Sequence, residues 1–399
     1  MRTLQTLCLV LACLALSLSA FASGQPPLTY DQIAKLTAPD GAANDEFGNS
    51  VAIDGNTIVV GKNDGTVQSA FVYENNSGTV TQVAELTPSD GAPGDRFGYT
   101  VAISGNVIVV AAIDHANHDP ENTGSLYVYV EPAGGWSSMT ETAELNLMQA
   151  GAELGRSIGT TGNEVVSLNS NNGTVVVWNE PSGGWVSSSK PNAELLTGSP
   201  GNNLANVAIS GNVIVAGCPQ AFQYGATFLY VKPANGWNTI GITPTARLLG
   251  SSGDYGGGGQ AVAISGNTVV GSTGASLFVF VKPSSGWANM TQNAILTDSN
   301  AQNDLYAIAI SGGTVVAGDP AQLVGVNPEQ GAVFVFMKPS GGWKNLTTAN
   351  AELVASDGNI GDNLGTSVAV SGGTVVAGAP FAQIGSNAAQ GAAYVFAQQ

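Results

Sequence analysis

The sequence predicts an all-β protein: a seven-bladed β-propeller of four-stranded antiparallel blades, closed by the N-terminal strand completing the last blade. The first observation is a repeat. One pattern opens at Leu36, Leu86, Leu145, Leu195, Leu248, Leu296 and Leu353, at spacings of 50, 59, 50, 53, 48 and 57 residues. A period near 50 with several short strands per copy marks a propeller or a solenoid. The second observation is the offset of the two ends. Tyr30-Asp31-Gln32-Ile33-Ala34-Lys35-Leu36 precedes the first copy and resembles residues 81–86, the strand that ends copy one. The last copy stops at its third strand, 393–397. In a ring the surplus strand fills the vacancy and protects both edges, whereas a solenoid has no use for it.

The elements of one blade follow in order. Strand one, as in Val101-Ala102-Ile103, is short and rich in small residues, which suits the crowded ring around an axis. Ser104-Gly105-Asn106 then makes a tight turn, with parallels at Ser210-Gly211-Asn212, Ser265-Gly266-Asn267 and Ser371-Gly372-Gly373. Glycine and asparagine tolerate the positive φ of primed hairpin turns. Strand two, as in Val107-Ile108-Val109-Val110, is a continuous β-branched run, expected where both faces are buried. Strand three carries aromatics, as in Leu126-Tyr127-Val128-Tyr129. A K-P-S-G-G-W type of loop leads to strand four, which ends in A-E-L and reads as a solvent-facing edge. Chain direction puts the one–two turns and three–four loops on one face. The two–three loops and inter-blade loops fall on the other, here called the top.

Residues 1–22 are expected to be a secretory signal peptide: Met1 and Arg2 precede an apolar run over 7–18, and Ala20-Phe21-Ala22 supplies a small-x-small cleavage signal. Residues 23–29 form a short linker and 30–399 one propeller domain. The apolar run is too short to span a bilayer and no second candidate follows, so no transmembrane segment is expected. The expected location is extracellular, or the periplasm or cell surface in a bacterium, and the expected state is a monomer. Cys8 and Cys13 lie in the signal, which leaves Cys218 without an intramolecular partner. The net charge of −17 repels nucleic acid and anionic membranes, so no nucleic-acid partner is expected.

On these residues the chain resembles the FG-GAP repeat family, the blade type of integrin α-chain propellers. The F-G element stands at Phe47-Gly48 and Phe97-Gly98 and drifts to Leu154-Gly155 and Leu364-Gly365. The G-A-P element stands at Gly378-Ala379-Pro380 and drifts to Gly217-Cys218-Pro219 and Gly318-Asp319-Pro320. The resemblance implies a seven-bladed ring and a role in extracellular recognition. It departs from the family at the D-x-D-x-D-G calcium loop between strands one and two. Here the tight turn offers no cage of carboxylates, and only Asp54-Gly55-Asn56 places an acid there. The family's calcium sites are therefore not carried over.

Acid pairs recur in the inter-blade loops as Asp40 with Asp45, Asp90 with Asp95 and Asp357 with Asp362. With the two–three loops, the top face collects seventeen of the chain's 28 acids against three of its 11 basic residues. Two readings stand. Aspartates beside glycine are turn residues that bond nearby backbone N–H groups. Alternatively, they form a surface for cations or a cationic partner. Both histidines lie in one two–three loop, Asp114-His115-Ala116-Asn117-His118-Asp119-Pro120-Glu121, where His115, His118 and Asp119 are candidate ligands for a divalent metal. No other cofactor is indicated.

Gly155-Arg156-Ser157-Ile158-Gly159 matches G-x-S-x-G, but Ser157 falls at the start of strand one, in register with Ser50 and Ser367, and not on a strand-to-helix elbow. The glycine-rich stretch 253–259 lacks the lysine and helix of a phosphate cradle. Trp136, Trp185, Trp237, Trp287 and Trp343 recur at one register, as packing wedges between blades would. Asn75, Asn172, Asn289 and Asn345 open glycosylation sequons. The reading is a secreted, non-enzymatic binding or adhesion module that recognises a protein or glycan partner through its acidic top face. The alternatives are an enzyme on a propeller scaffold, which a deep polar axial pocket would favour, and a purely structural surface or matrix component.

Overall fold

The computed structural model describes residues 28–63, 69–116, 123–149, 151–197, 204–221, 225–251, 259–301 and 305–399. The expected signal peptide and most of the linker lie outside them, as do His118 and Asp119. The described residues contain no α-helix. They form seven sheets, one for each sequence repeat, each built on four antiparallel strands. Blade two runs Phe97–Ser104, Val107–Ala112, Ser125–Val130 and Ala143–Asn146. Blade seven consists of Ser367–Ser371, Thr374–Ala379 and Ala392–Gln398, with Tyr30–Leu36 as its outer strand. The closing strand pairs antiparallel from Tyr30 opposite Gln398 to Leu36 opposite Ala393, so the ring closes as the offset ends require.

The core is not central. It consists of seven apolar clusters, each drawn from two neighbouring blades. The cluster between blades one and two joins Val59, Val72 and Leu86 to Phe97, Ile108 and Tyr129. Strand two of every blade is buried almost throughout because it packs in both directions. Each fully buried branched or aromatic side chain contributes roughly 1.5–3 kcal/mol. The five repeated tryptophans are the wedges expected of them. Trp136, Trp185, Trp237 and Trp287 are buried members of four consecutive junction clusters, and Trp343 packs against a fifth.

The drifting glycine motifs mark where two backbones touch across a junction. A Cβ on Gly378 would overlap the carbonyl of Gly48, and one on Gly318 would overlap that of Gly365. The second glycine of each pair also needs a positive φ, 90° at Gly48 and 96° at Gly365. The F-G and T-V-V-A-G elements are thus two halves of one contact between adjacent blades.

On the opposite face one type of hydrogen bond recurs at successive junctions. The serine of one blade's tight turn accepts the glycine N–H of the next: Ser210 from Gly266, Ser265 from Gly312, Ser311 from Gly372 and Ser371 from Gly55. In blade one Asp54 takes the serine's place and accepts the Gly105 N–H at 2.6 Å. The lone acid of these turns is therefore a junction acceptor.

Strand four is not the bare edge the sequence suggests. Met139–Thr140, from the three–four loop of blade two, pairs in parallel with Thr79–Thr87 of blade one. Ile240–Ile242 and Met290–Thr291 cover blades three and four in the same way. Parallel bridges Leu145–Ser188 and Leu296–Leu346 do so for blades two and five. Side-chain oxygens complete the seam: Ser138 accepts from Glu85 N–H, Ser187 from Glu144, Asn289 from Arg247 and Asn345 from Ile295. Covering an edge removes a template for aggregation.

Deleting Tyr30–Leu36 should bare strand Ala392–Gln398 and one side of the blade seven–blade one cluster. The expected result is loss of cooperative melting or aggregation on size exclusion; a monomer with an unchanged melt would contradict ring closure. Asp54→Ser, in contrast, should leave both melting and calcium titration heats unchanged, because serine makes the same bond at four other junctions. A calcium heat lost with Asp54 would show a site there.

Candidate functional site

The top face is built from inter-blade loops that cross the junctions. Three consecutive junctions, seven–one, one–two and six–seven, carry the paired aspartates, and the structure gives the two members of each pair different roles. Asp45, Asp95 and Asp362 are buried, with 2%, 7% and 5% of their surface exposed. Each accepts the backbone N–H three residues before it: Asp45 from Ala42, Asp95 from Ala92 and Asp362 from Asn359, at 2.7–2.8 Å. The next residue, Glu46, Arg96 or Asn363, sits in the left-handed region at φ 52°, 57° or 56°. That conformation costs a non-glycine residue roughly 1–2 kcal/mol, and the aspartate bond offsets it. These three carboxylates belong to the turn.

The first members stay at the surface. The side chains of Asp40, Asp90 and Asp357 are 46%, 46% and 49% exposed. Each faces different company. Asp40 lies 3.7 Å from the Lys62 Nζ, which also reaches Asp45 at 3.4 Å. Asp357 accepts from Lys35 Nζ at 2.6 Å and from the Tyr394 hydroxyl at 2.9 Å. Asp90 accepts from the Tyr127 hydroxyl at 2.9 Å and faces His115. His115 is 7% exposed, with Nδ1 2.8 Å from Asp95 and Nε2 3.6 Å from Asp90.

Of the proposed metal ligands His115, His118 and Asp119, only His115 lies among the described residues, and it turns into the loop cluster. The partner that sequence spacing missed is Glu144, whose ligand oxygen lies within 4.8 Å of those of Asp90 and His115. Glu144 stands in strand four, 29 residues after His115, opposite Tyr127 in the sheet.

Titration behaviour separates the two aspartates of one loop. Burial pushes the Asp357 carboxyl up, but hydrogen bonds from Lys35 and Tyr394 outweigh it and hold the group below the usual range. Burial dominates at Asp362 and raises it, against the Asn359 N–H and Lys35. Tyr394 is pushed well above the ordinary phenol by burial and by Asp357.

The axis holds a channel of about 420 Å³, lined by strand-one residues of all seven blades. Its described lining holds hydroxyl, amide and aliphatic side chains, including Ser50, Thr100, Ser157, Asn206 and Tyr306, with no carboxylate, imidazole, amine or thiol. Several of these polar groups are committed to junctions. Ser50 accepts the Val101 N–H and Ser157 the Val207 N–H, while Ser367 donates to the Gly48 carbonyl. The serine of the G-x-S-x-G match is one of these clips.

Residues 30–73, 80–129 and 347–396 match the FG-GAP repeat. The chain carries FG-GAP repeats. The matched stretches fall on blades one, two and seven, where the F-G and acid-pair turns are best kept. No curated protein matches the chain. Among solved structures, the chain is similar to the computationally designed protein Ika8, at 15% identity over 92% of this chain and 99% of that one, with a TM-score of 0.49. It is also similar to the WD40 β-propeller domain of Doa1, at 12% identity over 93% and 97%, with a TM-score of 0.56. The second likeness shows the propeller architecture. No helix of the described residues is long and apolar enough to cross a membrane.

The two FG-GAP aspartates of the six–seven loop should respond oppositely to acid. A depressed carboxyl contributes stability above its unfolded pKa, about 3.9, and loses it as pH falls through the folded value. A raised one costs stability when ionised, and acid relieves that cost. At pH 7, Asp357→Asn should destabilise slightly, by under about 1 kcal/mol for so exposed a pair. Asp362→Asn, which keeps an acceptor for Asn359, should be neutral or stabilising. Both differences should shrink in urea melts near pH 3; equal effects of the two variants at pH 7 would contradict the assignment.

Proposed function

We propose that this FG-GAP propeller is a secreted, non-enzymatic module that binds an extracellular protein through its top face. The observation that carries the reading is a groove of about 440 Å³ at the blade six–blade seven junction, lined by Asn359, Ile360, Asp362, Phe381 and Gln383. Ile360 and Phe381 are 66% and 46% exposed there, unusual for large apolar side chains in a chain this rich in buried ones. Exposed apolar groups rimmed by polar ones mark interaction surfaces. Asp357 follows the same loop and is half exposed. Asp40 and Asp90 repeat that carboxylate at the next two junctions. A partner with an apolar anchor and basic residues spaced along the rim meets both features. The axial channel supports the non-enzymatic part, since its described lining offers hydroxyls and amides without a carboxylate, imidazole, amine or thiol.

The test is capture of extracellular or cell-surface proteins on immobilised chain, compared with two variants: Asp40→Asn/Asp90→Asn/Asp357→Asn, and Ile360→Asp/Phe381→Asp. The apolar variant should melt like the wild type, and the charge variant only slightly lower, by the small loss expected of Asp357→Asn. The apolar variant should lose capture. The charge variant should weaken it and flatten its salt dependence, because screening shortens the Debye length from about 10 Å at 0.1 M to about 3 Å at 1 M. Capture that is indifferent to both variants, or turnover in a hydrolase and lyase screen, would overturn the reading.

A further inference from the structure

The molecule contains three versions of one corner, and they differ in how charge is closed. In each, the first aspartate of an inter-blade loop meets a basic or imidazole side chain of the blade that follows, whose A-x-L strand carries a charged middle residue. In blade seven that strand residue is Lys35, opposite Tyr394 in the sheet, and it neutralises Asp357 at 2.6 Å. In blade one the strand residue is Glu85, opposite Phe71, and Lys62 from the two–three segment answers Asp40 and Asp45. In blade two the strand residue is again acidic, Glu144, opposite Tyr127, and a histidine comes from the two–three loop instead of a lysine. Arg96, the nearest arginine in sequence, is turned to Asn63 and Asp114. Three carboxylates, Asp90, Asp95 and Glu144, thus surround one imidazole.

We propose that Asp90, His115 and Glu144 bind a divalent transition-metal ion of the zinc class, with Asp95 as a positioning residue. The buried imidazole is oriented as a ligand. An ionised Asp95 can only accept, so its 2.8 Å bond places the proton on Nδ1 and leaves the Nε2 lone pair pointing to Asp90. Metal-binding histidines are held in this way by a carboxylate on the other nitrogen. Nε2 has no described partner within hydrogen-bond distance; Asp90 Oδ2 is 3.6 Å away. Two ligands at about 2.1 Å on a tetrahedral ion lie roughly 3.4 Å apart, so this spacing already suits shared coordination. The ligand atoms of all three residues lie within 4.8 Å of one another, so coordination draws the widest pair together by up to about 1.4 Å, within reach of a carboxylate rotamer change. The carboxylates are themselves anchored: Asp90 by the Tyr127 hydroxyl, and Glu144 by the Ser125 hydroxyl at 2.7 Å. One imidazole and two carboxylates favour zinc-like ions over calcium, which takes oxygen ligands.

The experiment titrates the metal-free full chain with Zn²⁺ by calorimetry and with Co²⁺ by visible absorption. About one equivalent should bind per chain, with a Co²⁺ ligand-field band. His115→Ala and Glu144→Lys should each weaken binding by roughly tenfold or more. Glu144→Lys recreates the corner of blade seven, so it should fold and melt like the wild type. Lys62→Ala, in the neighbouring corner, should leave Zn²⁺ affinity unchanged. If Glu144→Lys does not fold, Asp90→Asn supplies the same readout. Absence of stoichiometric Zn²⁺ uptake by the wild type, or wild-type affinity in His115→Ala and the carboxylate variant, would overturn the proposal and leave His115 as a structural partner of Asp95.

Discussion

Everything in this molecule depends on the contact between one blade and the next. A four-stranded sheet whose second strand is apolar on both faces cannot be stable alone, because each face exposes a row of branched side chains. Seven such sheets satisfy one another only in a closed ring, where the seven clusters stand at seven junctions. The axis is left open, with a channel and no core. Closure then falls to the strand Tyr30–Leu36, which must find Ala392–Gln398 across more than 350 residues of chain. Repeat proteins in general store stability in nearest-neighbour interfaces. The ring adds the requirement that the last interface be made by the first residues.

The same junctions explain the sequence motifs. The glycine after Phe47 exists to bring its carbonyl against Gly378, and the serines of four tight turns to accept the next turn's N–H. The inter-blade loop crosses the junction above these contacts, so its second aspartate is used up in holding the crossing. Only the first, on the outer side, remains for a partner or an ion. The two aspartates of a loop are thus divided between the turn and the surface.

Much of the architecture is legible in the sequence because its signals are local and repeated. The β-branched runs, the S-G-N turns and the offset termini each state one fact several times. What escapes is pairing without propensity. Met139–Thr140 and Ile240–Ile242 are too short to carry a strand signal and lie parallel to strands of another blade, so strand four looks bare until the fold is seen. The acid pairs escape for a different reason. Asp90 and Asp95 share a loop and both neighbour glycine turns, and only the fold reveals that one is half exposed and the other buried. The histidine loop shows the limit of reading by proximity: Glu144, 29 residues along the chain, is brought to His115 by the pairing of strands three and four.

A repeated scaffold diversifies at positions its junctions do not need. The middle residue of A-x-L is one: its backbone is fixed by Ser138, Ser187 or Asn289, while its side chain is free to vary among Glu85, Glu144, Arg247 and Lys35. Changing that residue together with the start of the two–three loop converts a corner closed by lysine into one built from carboxylates and imidazole, without moving a strand. Charge at these corners is therefore set blade by blade, while stability is set by the ring. That separation lets the charge of the top face differ from one junction to the next on the same frame.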